Sequence, residues 1–143
     1  MTRNRVLSSY RKTAVETADP HRLILLCYET SIRDLQEAKE LHQSRSMIAA
    51  YEKIRHARNI VTELLTILDY EKGGEIARNL KRLYVFILGQ LMVINSRTDV
   101  SIYDQPIQIL SGLKESWEQI RAEKPGAQPA EAPQKKMAWR VSA

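Results

Sequence analysis

The sequence predicts an all-α protein: an antiparallel up-down four-helix bundle over residues 17–121, with an N-terminal arm (1–16) and a disordered C-terminal tail (122–143). Three observations carry this reading. Apolar residues recur every three or four positions in four separate segments, the period of one helix face. No segment alternates polar and apolar residues for long enough to form a strand. The breaks between segments are short, and short links make successive long helices antiparallel neighbours.

The first helix is introduced by Thr17-Ala18-Asp19-Pro20, where Asp19 suits an N-cap and Pro20 a first helical position. Its apolar positions run through Leu23, Ile24, Leu26, Cys27, Ile32, Leu35, Ala38 and Leu41. Gln43-Ser44-Arg45-Ser46 breaks the pattern and offers a serine cap for the second helix, with Met47, Ala50, Ile54, Ala57, Val61, Leu64 and Leu68 on one face. Gly73-Gly74 is expected to end that helix, because glycine adopts the left-handed conformation without strain. The third helix reads Ile76, Leu80, Leu83, Tyr84, Ile87, Leu91 and Ile94. After Asn95–Asp99 the fourth is expected to start near Asp104, since Pro106 is tolerated only in a first turn; a start at Asp99 would instead have Pro106 kink the helix. Its face is Ile109 or Leu110, Leu113, Trp117 and Ile120. The tail has Pro125, Pro129 and Pro133 among Ala, Gln and Lys, a composition that supports no packed core.

Composition narrows the function classes. With 43% hydrophobic and 27% charged residues, the chain reads as a soluble globular domain. No apolar run reaches the roughly 20 residues that span a bilayer, so stable membrane insertion is not expected. The opening Met1-Thr2-Arg3-Asn4-Arg5 lacks the apolar stretch of a signal peptide, and Cys27 is the single cysteine. A cytoplasmic location follows as the expectation. The net charge of +5 sits in the ends: residues 13–121 hold 14 Lys/Arg against 15 Asp/Glu, and the flanks hold the other 8 and 2. That distribution argues against nucleic acid as partner, which needs clustered bases on a folded face.

Catalytic groups do not converge. His21, His42 and His56 fall on different segments without metal-ligand spacing, and are expected at the surface or at helix ends. Cys27 lies in an apolar run as a small core residue, and Gly73-Gly74 lacks the frame of a phosphate loop. The expectation is a protein that is not an enzyme and carries no cofactor or metal.

The informative feature is surplus apolar surface. Leu23–Tyr28 is six apolar residues in succession, and Leu83–Leu88 with Leu91–Ile94 repeats the pattern. Successive helical residues turn by about 100°, so such runs face nearly every direction, and something must cover the outer side. The arm (Val6, Leu7, Tyr10, Val15), a second copy, or a foreign helix laid in a groove can do so.

Particular residues also resemble a known family. Tyr10 with Val15, Thr17–Ile24 and Leu26-Cys27-Tyr28-Glu29 are similar to the opening of the flagellar secretion chaperone FliS family. Leu68–Leu80, reading Leu-Asp-Tyr-Glu-Lys-Gly-Gly-Glu-Ile-Ala-Arg-Asn-Leu, with Leu83-Tyr84 behind it, is the most recognisable stretch. Asn95, Asp99 and Trp117 extend the likeness, which covers roughly residues 10–121. The resemblance implies a cytoplasmic chaperone that binds the C-terminal segment of flagellin. It further implies that the chaperone blocks premature polymerisation and helps deliver its client to the flagellar type III export gate. It also implies that the arm is a replaceable plug of the groove.

On these grounds the expected partner contacts are Tyr10 and Val15 in the arm, with Ile54, Val61, Leu64, Leu83, Tyr84 and Ile87 lining the groove. Asn79 is read as fixing a turn or helix contact. Self-association through the apolar stripes is the alternative, and nucleic-acid binding by the basic ends a third reading.

Overall fold

The structure, a computed structural model, describes residues 20–123. Four α-helices follow one another: α1 (Pro20–Gln43), α2 (Met47–Thr66), α3 (Tyr70–Met92) and α4 (Asp104–Glu123), with a 3-10 turn (Val100–Tyr103) before α4. The all-α four-helix architecture is the one the periodicity predicts. Asp19, the arm with Tyr10 and Val15, and the tail beyond Glu123 lie outside the described residues.

Local chemistry sets the boundaries. At the end of α1, Ser46 N–H donates to Leu41 O at 2.8 Å and Arg45 N–H to His42 O at 3.0 Å, a paired closure that satisfies the last carbonyls. Arg45 takes the left-handed position of this motif (φ 63), where glycine is usual. Ser46 is the N-cap of α2, but its side chain makes no capping bond. Its carbonyl accepts from Ala50 N–H at 2.9 Å, so the expected serine cap is positional only.

The second boundary corrects the sequence reading. α2 stops at Thr66, not at the glycines. Asp69 caps the next helix, its Oδ1 accepting from the N–H groups of Glu71 and Lys72 at 3.1 Å each. Tyr70–Gly73 is therefore already a helical turn, and Gly74 (φ 49, ψ −121) breaks the helix internally before it resumes. Gly74 does use its conformational freedom, but inside α3 and not as the C-cap of α2. At α4 the expectation holds: the Asp99 carboxylate accepts from Ser101 N–H at 2.8 Å, and Pro106 sits buried in the first turn. No hydrogen bond is lost there.

Side-chain pairs give the topology. Asp34 pairs with His56 and Glu37 with Lys53 (2.8 Å), so α1 and α2 run antiparallel. His42 meets Tyr103 and Lys39 meets Asp104, while Tyr28 meets Trp117, so α1 and α4 are antiparallel too. α1 packs on α2, on α4 and on the 3-10 turn, whereas α3 packs on α2 and approaches α4 only slightly. The core is a continuous cluster that includes Leu35, Ile60, Leu64, Leu80, Ile87, Leu110 and Trp117. Among the described residues no helix is long and apolar enough to cross a membrane.

Candidate functional site

The six groove candidates from α2 and α3 are all core. Ile54, Val61, Leu64, Leu83, Tyr84 and Ile87 are each at most 3% exposed. Helical periodicity finds the stripe a helix buries against its neighbours, and in this bundle the neighbours already fill it.

The accessible apolar surface lies on the opposite side of the same segments. On α3 and just beyond it, Val85 (49% exposed), Phe86 (38%), Met92 (66%) and Val93 (60%) face outward, with Gly89 exposed among them. On α2, Ile48 and Tyr51 are exposed in the first turns. The link 67–69 makes α2 and α3 antiparallel, so the start of α2 and the end of α3 share one end of the bundle. Ile67 and Tyr70 are exposed at the other end. The runs Leu83–Leu88 and Leu91–Ile94 contain this surface, and the signal that finds it is subtraction. Removing Leu83, Tyr84, Ile87, Leu91 and Ile94, which are core, and the half-buried Leu88 leaves Val85, Phe86, Met92 and Val93.

α1 turns out differently. Its run Leu23–Tyr28 leaves no large apolar side chain exposed: Ile24, Cys27 and Tyr28 are buried and Leu23, Leu25 and Leu26 half-buried. The apolar run on α1 is thus buried or half-buried, while that on α3 is left uncovered by the described residues.

Between the two ends, α3 carries charge. Arg78, Lys81 and Arg82 are exposed within two turns N-terminal to Val85. Arg78 pairs with Glu75 at 3.5 Å. Arg82 donates to the neutral Oδ1 of Asn79 at 2.6 Å, and the Lys81 ammonium stands 6.0 Å from the Tyr70 ring centroid. Asn79 is buried at 3%, so its role is a contact within the helix, as expected.

Behind this face the core is tied by polar side chains. The Trp117 indole N–H donates to the Tyr28 hydroxyl at 2.9 Å, and that hydroxyl shares a 2.6 Å hydrogen bond with Tyr84. Burial pushes both phenols well above their ordinary value. Two histidines fall at helix ends, as expected, and the third does not. His21 (3% exposed, its ring 5.2 Å from Trp117) and His42 (6%, Nδ1 2.9 Å from the Tyr103 hydroxyl) are at helix ends but buried. His56 sits mid-helix against the buried Asp34 carboxylate. Cys27 is buried at 2%. Among the described residues no group of three or more His, Cys, Asp or Glu is placed to hold a metal ion. An open cleft of about 540 Å³ between α1 and α4 is lined mainly by charged side chains, including Glu29, Arg33, Lys114 and Glu118.

Comparison with known proteins places the sequence in a family. The sequence profile of the family described as "Flagellar protein FliS" matches residues 3–124. The chain is 34% identical over 110 residues to the flagellar secretion chaperone FliS of Salmonella typhimurium, covering 76% of this chain and 82% of that protein. It is 31% identical over 121 residues to the flagellar secretion chaperone FliS of Vibrio cholerae (82% and 89% covered). A third relative is the flagellar secretion chaperone FliSB of Pseudomonas aeruginosa, at 30% identity over 120 residues (81% and 95% covered). A match over nearly the whole chain, on a bundle with an uncovered apolar helix face, makes this protein a member of the FliS family of flagellar proteins.

Proposed function

We propose that this protein is a cytoplasmic export chaperone for flagellin, a binding protein and not a catalyst. In this reading it holds the C-terminal segment of flagellin on its apolar surface, prevents premature polymerisation, and helps deliver the subunit to the flagellar type III export gate. The observation that carries it is the exposed apolar side of α3, Val85, Phe86, Met92 and Val93, in a chain whose relatives are named flagellar secretion chaperones. Large exposed apolar patches on small domains mark places where another chain docks. An amphipathic helix laid on such a face gains roughly 25 cal/mol per Å² of apolar area removed from water, less the cost of ordering it. Tyr10 and Val15 of the arm (1–16) take the role of a plug that the client displaces. The six buried candidates, Ile54, Val61, Leu64, Leu83, Tyr84 and Ile87, support the face from beneath.

The test is calorimetric titration of the full chain with a C-terminal flagellin fragment. Binding is expected with a negative heat-capacity change and a gain of helical circular dichroism as the fragment orders. No heat at high micromolar concentration of both proteins removes the proposal. Light scattering on the free chain addresses self-association, which predicts a stable dimer without any client.

A further inference from the structure

The outward side of α3 is divided along its axis. Its N-terminal half presents Arg78, Lys81 and Arg82; its C-terminal half presents Val85, Phe86 and Gly89, continuing to Met92 and Val93. Among the described residues neither Lys81 nor Arg82 pairs with a carboxylate: one stands over a tyrosine ring and the other bonds an amide oxygen. Elsewhere in the bundle bases do find acids, as in Lys39–Asp104, Lys53–Glu37 and Arg55–Glu52. Two exposed cations bordering an uncovered apolar patch are complementary to a partner whose apolar residues end where carboxylates begin.

We infer that α3 reads the polarity of its client. The segment that lies on α3 is an amphipathic helix with large apolar residues over Val85, Phe86 and Met92, and with Asp or Glu one to two turns away over Lys81 and Arg82. On a rise of 1.5 Å per residue, Lys81 to Val85 and Arg82 to Phe86, four residues each, correspond to about 6 Å. The carboxylates and the nearest apolar anchors of the client are therefore offset by about four residues. The apolar half supplies affinity; the charged half fixes which way round the client lies, because reversing it would set its carboxylates over Phe86 and Met92 and leave Lys81 and Arg82 against apolar atoms. This rests on the chaperone reading, since the client is the flagellin segment proposed there.

The experiment titrates the full chain with the C-terminal flagellin fragment at about 50 and 300 mM NaCl. Its variants are Lys81→Glu/Arg82→Glu, Phe86→Ser, and a fragment whose Asp and Glu are changed to Asn and Gln. Lys81 and Arg82 are exposed, so their reversal leaves the fold intact, which melting curves verify. We expect Lys81→Glu/Arg82→Glu to weaken binding about tenfold at low salt and to flatten its salt dependence. The neutralised fragment should show the same loss, with no further loss on combining the two. Phe86→Ser should weaken binding at both salt concentrations and keep the wild-type salt slope. If the wild-type pair binds but the double reversal changes neither affinity nor salt slope, the polarity inference is overturned while the chaperone reading stands. If the fragment does not bind the wild-type chain at all, both fall.

Discussion

Trp117 on α4 donates its indole N–H to the hydroxyl of Tyr28 on α1, 2.9 Å away and fully buried. The same hydroxyl bonds Tyr84 on α3, so one oxygen joins three helices. Removing it strands two polar groups in the core, whereas removing the Tyr84 hydroxyl leaves the Trp117 bond in place. Tyr28→Phe is therefore expected to cost about 1–3 kcal/mol and Tyr84→Phe about 1 kcal/mol or less, with non-additive losses in the double variant. Urea unfolding of the three variants measures this, and equal losses for the two single variants would contradict the shared-oxygen arrangement.

Alkaline pH should unfold the protein through its phenols. Burial pushes Tyr103 up to about 12, with the neighbouring Tyr51 adding to the shift, and raises Tyr28 and Tyr84 as well. A phenol whose folded value lies above its unfolded value of about 10 adds stability that is complete below pH 10 and is lost as pH rises towards the folded value. Chemical melts at pH 8, 10 and 11 should show a level region and then a decline, and Tyr103→Phe should make the decline shallower.

The buried Asp34 carboxyl is raised from its ordinary value chiefly by burial, partly offset by its bond to His56. The folded chain thus holds this proton more tightly than the unfolded chain, and ionisation costs stability as pH rises through that window. His56→Ala removes the offset and raises Asp34 further. Its destabilisation should be small near pH 4 and grow to about 1–3 kcal/mol at pH 7.5. A loss independent of pH would mean that His56 contributes packing alone.

Two glycines should respond in opposite directions. Gly74 sits at φ 49 with open space where a Cβ would be, so Gly74→Ala meets backbone strain alone, worth about 1–3 kcal/mol of lost stability. Gly89 lies in regular helix with equally open space, and Gly89→Ala should stabilise by about 0.5–1 kcal/mol. Thermal melting of both variants is sufficient.

Core and face are separable in the same way. Ile54→Ala, at a site 3% exposed, should lose about 2–4 kcal/mol. Phe86→Ser, 38% exposed, should change stability by less than about 1 kcal/mol while weakening client binding.

The helices were legible because each rests on local chemistry: apolar periodicity, Pro20 and Pro106 in first turns, and the breaks at 44–46 and 95–99. The end of α2 was not, because the apolar period runs on to Leu68 while Asp69 has already begun to cap α3. The site was half legible. The excess on α3 was readable from the runs, but choosing residues by period selected the stripe that the bundle buries. Asp34–His56, His42–Tyr103 and Tyr28–Trp117 span 22 to 89 residues, and no local pattern announces such pairs.

The lopsided packing of α3 has a dynamic consequence. α1 is enclosed by α2, α4 and the 3-10 turn, while α3 leans on α2 and barely approaches α4. On this packing the amides of α3 are expected to exchange with solvent before those of α1, as hydrogen exchange would measure. A client laid along α3 would slow that exchange, so occupancy of the face and integrity of the fold become one linked equilibrium.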